Sequence, residues 1–113
     1  MDLRAVFAKT LSKLMKENDK ICILDADLSK PNGTSPLYKE FPDRCFNVGI
    51  SEANMAGIAA GLSTYGYKPI ILTFTPFATR RICDQVAVSI AYAKQNVIIV
   101  GTDPGITAEL NGG

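Results

Sequence analysis

Four short apolar segments, Ile21 to Leu24, Cys45 to Val48, Ile70 to Phe74 and Val97 to Val100, constrain this chain most, because stretches with helical spacing separate them. Ile21-Cys22-Ile23-Leu24 is continuously apolar, as a parallel strand buried on both faces requires. Leu3, Val6, Phe7, Leu11, Leu14 and Met15 share one face of a helix expected from about residue 2 to 17, which Asn18-Asp19 ends. Ser29 to Pro36 is turn-rich and reads as a loop, followed by one helical turn from Leu37 to Phe41. Thr75 and Pro76 read as an N-cap and first helical position, opening a helix from Phe77 to about Lys94 with Ile82, Val86, Ile90 and Ala93 on one stripe. Strands alternating with helices predict an α/β fold: a mostly parallel sheet covered on both faces, α/β/α in three layers.

With 113 residues, 47% hydrophobic and 20% charged, the chain is expected to form one domain over residues 1–113. Its 12 basic and 11 acidic side chains leave a formal charge of +1, which gives no electrostatic footprint for nucleic acid or an anionic membrane. No apolar run approaches the roughly 20 residues of a membrane span, and Met1-Asp2-Leu3-Arg4 lacks the pattern of a signal peptide. The expected location is the cytoplasm. Cys22, Cys45 and Cys83 are widely spaced and histidine is absent, which argues against zinc sites, disulfides and histidine-activated nucleophiles. The thiols are expected to be buried.

The stretch Gly49 to Leu62 combines helix spacing, small residues and one acid. Met55, Ile58, Ala59 and Leu62 recur at i, i+3, i+4 and i+7, while Ala53, Gly57, Ala60, Gly61 and Thr64 make the other face small. Such a helix is expected to be covered on both sides. Glu52, the only charged residue between Cys45 and Tyr67, would then sit at the rim of a buried place. Structurally, Ser51 as N-cap and Glu52 as a first-turn acid complementing the helix dipole account for the same residues.

Ligands of open α/β sheets bind outside the carboxyl ends of the strands. Asp25 and Asp27, Ser51 and Glu52, Phe74 and Phe77, and Thr102 and Asp103 follow the four strands, so acids and aromatics collect at one edge. Taken singly, either phenylalanine reads first as core, while loop caps account for the aspartates and a solvated helix face for Arg80-Arg81. Neither GxGxxG nor GxxxxGK[ST] occurs, so the phosphates of any cofactor at this edge must be held elsewhere.

Val48-Gly49-Ile50-Ser51-Glu52-Ala53-Asn54-Met55-Ala56-Gly57-Ile58-Ala59-Ala60-Gly61-Leu62, followed by Ile71-Leu72-Thr73-Phe74-Thr75-Pro76-Phe77 and Asp84-Gln85, resembles the pyrimidine-binding domain of transketolases from about residue 3 to 101. The resemblance implies a thiamine diphosphate-binding (pyrimidine) domain and an active site shared between two domains at a dimer interface. A second domain with a Gly-Asp-Gly motif, absent here, would hold Mg2+ and the diphosphate. Glu52 resembles the glutamate that hydrogen-bonds the aminopyrimidine ring nitrogen N1′, where a shared proton favours the tautomer that deprotonates the thiazolium. Phe74 and Phe77 fall at the aromatics that pack on the ring, Asp27 and Ser51 at its edge, and Asp103 and Asn111 on the substrate side.

The resemblance further implies ketol transfer from a ketose to an aldose, with a sugar phosphate as substrate. The expected partner is the diphosphate-binding subunit of a split transketolase, the chain forming a homodimer within a heterotetramer and being inactive alone. Three departures stand out. Thr102-Asp103-Pro104 replaces a substrate-contacting histidine, Arg80 replaces a frequent aromatic, and the chain stops inside a substrate-like loop, so the domain is expected to be truncated at its C-terminal end. A deoxyxylulose-phosphate synthase, a 2-oxoacid dehydrogenase β subunit and a non-catalytic α/β dimerisation module are the alternatives these residues leave open.

Overall fold

The computed structural model describes residues 2–107. Asp2 caps the first helix, α1 (Leu3–Glu17), by accepting the Arg4 backbone N–H at 2.9 Å, and Asn18 closes it. β1 (Ile21–Asp25) follows, then α2 (Ser35–Glu40), β2 (Cys45–Asn47), α3 (Glu52–Thr64) and β3 (Lys68–Phe74). β4 (Ile98–Thr102) is the last strand among the described residues. All pairings are parallel and the sheet order is β2-β1-β3-β4. Every described strand therefore ends at the same edge.

Alternate side chains of the strands feed two cores. Ile23, Ile70 and Leu72 pack with Leu11, Met15 and Leu37 of α1 and α2, while Cys22, Leu24 and Ile71 pack with Met55, Ala56 and Ala59 of α3. This is the expected three-layer arrangement. Arg44 fastens the first layer at its far end, donating to the carbonyls of Met15, Asn18 and Ile21.

α3 ends with Gly66 at φ +87° just beyond Tyr65, the position at which helices commonly take a left-handed glycine. On its small-residue side Ala60 is buried and Ala53 packs on the core, whereas nothing in this chain lies within 4 Å of a Cβ built on Gly57 or Gly61 among the described residues. Ile58, assigned to the packed face, is 38% exposed.

The continuous helix expected from Phe77 to Lys94 is broken. α4 (Thr75–Ala78) is one turn, Thr79 leaves helical geometry at φ −119°, ψ −85°, and α5 (Cys83–Gln85) continues as a π-helix over Val86–Tyr92. Thr75 lies inside α4 and donates its hydroxyl to the Thr102 carbonyl at 2.9 Å, so it is not the cap. The break lets Ile82 reach complete burial against α3. Burying an isoleucine gains about 2 kcal/mol, more than the net ~1 kcal/mol of one helical hydrogen bond. The turn also keeps bonds of its own, from Arg81 N–H to the Pro76 carbonyl and from Cys83 N–H to the Arg80 carbonyl. Cys83 is exposed, against expectation, because it opens α5 beyond this anchor; Cys22 and Cys45 are buried.

Candidate functional site

The sheet order brings the exits of β1, β2, β3 and β4 side by side, and each candidate residue is positioned by its own strand end. After β2, Asn47 ties two exits together. Its side-chain oxygen accepts the backbone N–H groups of Asp27 at 3.0 Å and Gly49 at 2.9 Å, and its amide donates to the Asp27 carboxylate at 3.2 Å. Asp27 is exposed and left-handed at φ +64°. It stands at the carboxyl edge of the sheet, held by an asparagine whose sequence position signals only a strand.

Ser51 occupies the N-cap position of α3 without capping it. Its hydroxyl donates to the Val48 carbonyl at 3.0 Å, so its oxygen is turned away from the first-turn N–H groups. Ser51 is therefore a turn-former here. The following Glu52 is only 5% exposed. Among the described residues its carboxylate accepts no hydrogen bond, and its one ionic contact is Arg81 Nη1 at 3.6 Å from Oε2.

Phe74 at the end of β3 and Phe77 in α4 are half-buried, with ring centroids 6.4 Å apart and planes tilted by 34°. Arg81 lies on the Phe77 ring, its guanidinium carbon 4.1 Å from the centroid. The same side chain thus joins Phe77 to Glu52. Arg81 is more than a solvated helix face, since it stacks on Phe77 four positions earlier and also faces Glu52. Glu52, Phe74 and Phe77 form one corner in which an unspent buried carboxylate adjoins an aromatic face. That donor and acceptor set suits a planar ring bearing hydrogen-bond donors.

Asp25, the other buried acid of this edge, has a structural role. Fully buried, it accepts the Leu28 backbone N–H at 2.9 Å on one oxygen and the Tyr38 hydroxyl on the other. Burial and the Asp25 carboxylate push the Tyr38 hydroxyl pKa well up from its usual value. Asp25 caps the loop, as its sequence position allows, but its tyrosine partner carried no local signal.

Beside β4, a cavity of about 820 Å³ is lined by Arg4, Phe7, Asn32, Thr102 and Asp103, among others. Thr102 donates its hydroxyl to Asn32 Oδ1 at 2.7 Å, whereas the buried Asn32 Nδ2 has no partner among the described residues. Asp103, at φ +47°, sits at the strand exit. Gly101 is needed beneath it, because a Cβ there would stand 2.9 Å from the Thr75 hydroxyl oxygen. Asn111 lies outside the described residues.

Residues 1–113 match the transketolase pyrimidine-binding domain family. The chain belongs to that family. Among similar proteins, the 6-deoxy-6-sulfo-D-fructose transketolase subunit SqwH of Clostridium sp. (strain MSTE9) is 49% identical, over 98% of this chain and 34% of the relative. A putative transketolase C-terminal section of Methanocaldococcus jannaschii is 42% identical, over 97% of this chain and 35% of the relative. A solved structure described as a split gene transketolase, inactive beta4 tetramer, superimposes with a TM-score of 0.75 at 50% identity, over 83% of this chain and 31% of that one. This transketolase pyrimidine-binding domain thus spans about a third of the length of these relatives. Among its described residues, no helix is long and apolar enough to cross a membrane.

Proposed function

We propose that this chain is the pyrimidine-binding part of a thiamine diphosphate-dependent transketolase, moving a two-carbon ketol unit from a ketose to an aldose. The observation that carries the reading is Glu52: a buried carboxylate with no hydrogen bond of its own, beside Phe77 and at the carboxyl edge of the sheet. With no hydrogen bond among the described residues, its oxygens are free to accept from a ligand that carries N–H donors.

When bound, thiamine diphosphate supplies the carbanion chemistry that cleaves and forms the carbon–carbon bond. Glu52 holds a proton at the N1′ position of the aminopyrimidine, Phe74 and Phe77 pack on the ring, and the first turn of α3 with Ser51 and the Asp27 loop frame its rim. This chain carries no diphosphate cradle in its sequence. A diphosphate-binding subunit with Mg2+ is the proposed partner, in a heterotetramer built on a dimer of this chain; the subunit and split-gene relatives support that reading.

Asp103 and Asn111 are the proposed substrate contacts. The unpaired Asn32 Nδ2 on the cavity wall favours a polyhydroxylated substrate, while Arg4 there is already paired with Asp2 at 3.3 Å. A sugar phosphate and the sulfonated ketose named for the Clostridium relative both fit that description, and side-by-side turnover of the two distinguishes them. The reading is tested by Glu52→Gln in the assembled enzyme. Folding and assembly stay intact while turnover falls by about 100-fold or more, in the range of lost general acid–base catalysis. Equal turnover of variant and parent contradicts it.

A further inference from the structure

Arg81 connects the two halves of the proposed ring site. Its guanidinium carbon is 4.1 Å from the centre of Phe77 and its Nη1 is 3.6 Å from the Glu52 carboxylate. A guanidinium is planar, cationic and rich in N–H donors. An aromatic face beside a buried carboxylate selects for a flat group bearing N–H donors, and an aminopyrimidine is one as well. Both ligands need the same face of Phe77 and the same oxygen acceptors.

We infer that Arg81 is a resident placeholder: in the chain without cofactor its guanidinium occupies the position between Phe77 and Glu52, and the ring must displace it. The inference rests on the reading of Glu52 and Phe77 as the ring site. Its physical basis is twofold. Glu52 is 5% exposed and has no hydrogen-bond donor of its own among the described residues, so the Arg81 guanidinium is the one cation set against its carboxylate there. Arg81 in turn has a side chain 52% exposed, so it has room to swing into solvent. It follows a turn rather than lying within a helix, since Thr79 breaks α4 and α5 begins only at Cys83. Arg81 thus moves without unwinding an element.

Displacement opposes binding by the strength of the stacking and the ion pair that it breaks. A cation over an aromatic ring and a half-exposed ion pair are each modest, so together they reduce cofactor affinity by about fivefold. The test is the equilibrium affinity and association rate of thiamine diphosphate for the assembled complex of full chain and diphosphate-binding subunit, in the parent, Arg81→Gln, Arg81→Lys and Glu52→Gln. Circular dichroism verifies that each variant is folded. A placeholder predicts that R81Q binds about fivefold more tightly and faster, with R81K between R81Q and the parent because lysine keeps the charge but loses the planar stack. R81Q binding unchanged, or weakened as a direct cofactor contact would be, overturns the inference while E52Q still weakens binding. If E52Q also leaves the affinity unchanged, the ring-site reading itself falls and the placeholder falls with it.

Discussion

Asp25 and Glu52 are both buried acids at one edge of one sheet, and they are used in opposite ways. Asp25 is fully spent: the Tyr38 hydroxyl and the Leu28 N–H take up its two oxygens, and it fixes the loop after β1. Glu52 has only Arg81 at 3.6 Å and no hydrogen bond among the described residues. A buried carboxylate that the fold satisfies contributes to stability. One to which the fold gives no hydrogen bond is, on the proposed reading, left for a ligand's donors. The distinction lies in the partners, since exposure alone ranks the two acids as nearly alike.

The sharpest way to break this comparison is to remove each acid in turn. Asp25→Ala leaves the Tyr38 hydroxyl and the Leu28 N–H without their acceptor, and is expected to destabilise the chain by about 3 kcal/mol in denaturant unfolding. Glu52→Gln, by contrast, is expected to change stability by less than about 1 kcal/mol, because no hydrogen bond is lost. Comparable losses for the two variants would erase the distinction.

Tyr38→Phe sharpens it further, with an expected cost of about 1–2 kcal/mol from the orphaned Asp25 oxygen. The same pair predicts a pH effect. The folded-state pKa of Tyr38 is raised from an ordinary value of 10.0, so its contribution is full below pH 10 and is lost as pH rises above it. Unfolding titrations between pH 9 and about 12 should show a steeper decline for the parent than for Y38F. Parallel curves would rule out this coupling.

The thiols provide the smallest and simplest comparison. Cys45 lies near Asp25, and burial pushes its pKa up to about 11, as it does for Cys22. Cys83, two positions after Arg81, is exposed. A thiol reagent at about pH 7.5 should modify Cys83 in the native chain and reach the other two only after unfolding. Labelling of all three in the native chain would mean that the Asp25 side is not closed.

Much of this organisation is readable from residues because it is local. The period of α1 and α3, the apolar run of β1 and the glycine after Tyr65 each report a few consecutive positions, and they suffice for the parallel sheet and for the gathering of Glu52, Phe74 and Phe77. What could not be read depends on partners distant in the chain. Ile82 fits a helical stripe equally well whether or not the helix is continuous, so the break at Thr79 follows only from its burial against α3. Arg81 returning to Glu52, Tyr38 reaching Asp25 and Asn47 bridging Asp27 to Gly49 are contacts that no spacing announces. Ser51 misled for a related reason: its residue type fits an N-cap, but its hydroxyl is engaged by Val48.

The most direct test of the central claim is calorimetric binding of thiamine diphosphate to this chain alone and to the chain mixed with the proposed diphosphate-binding subunit. The account predicts saturable binding only in the mixture, abolished or strongly weakened by Glu52→Gln. No binding in any mixture would contradict it and leave Glu52 as a helix-terminal acid in an interaction module.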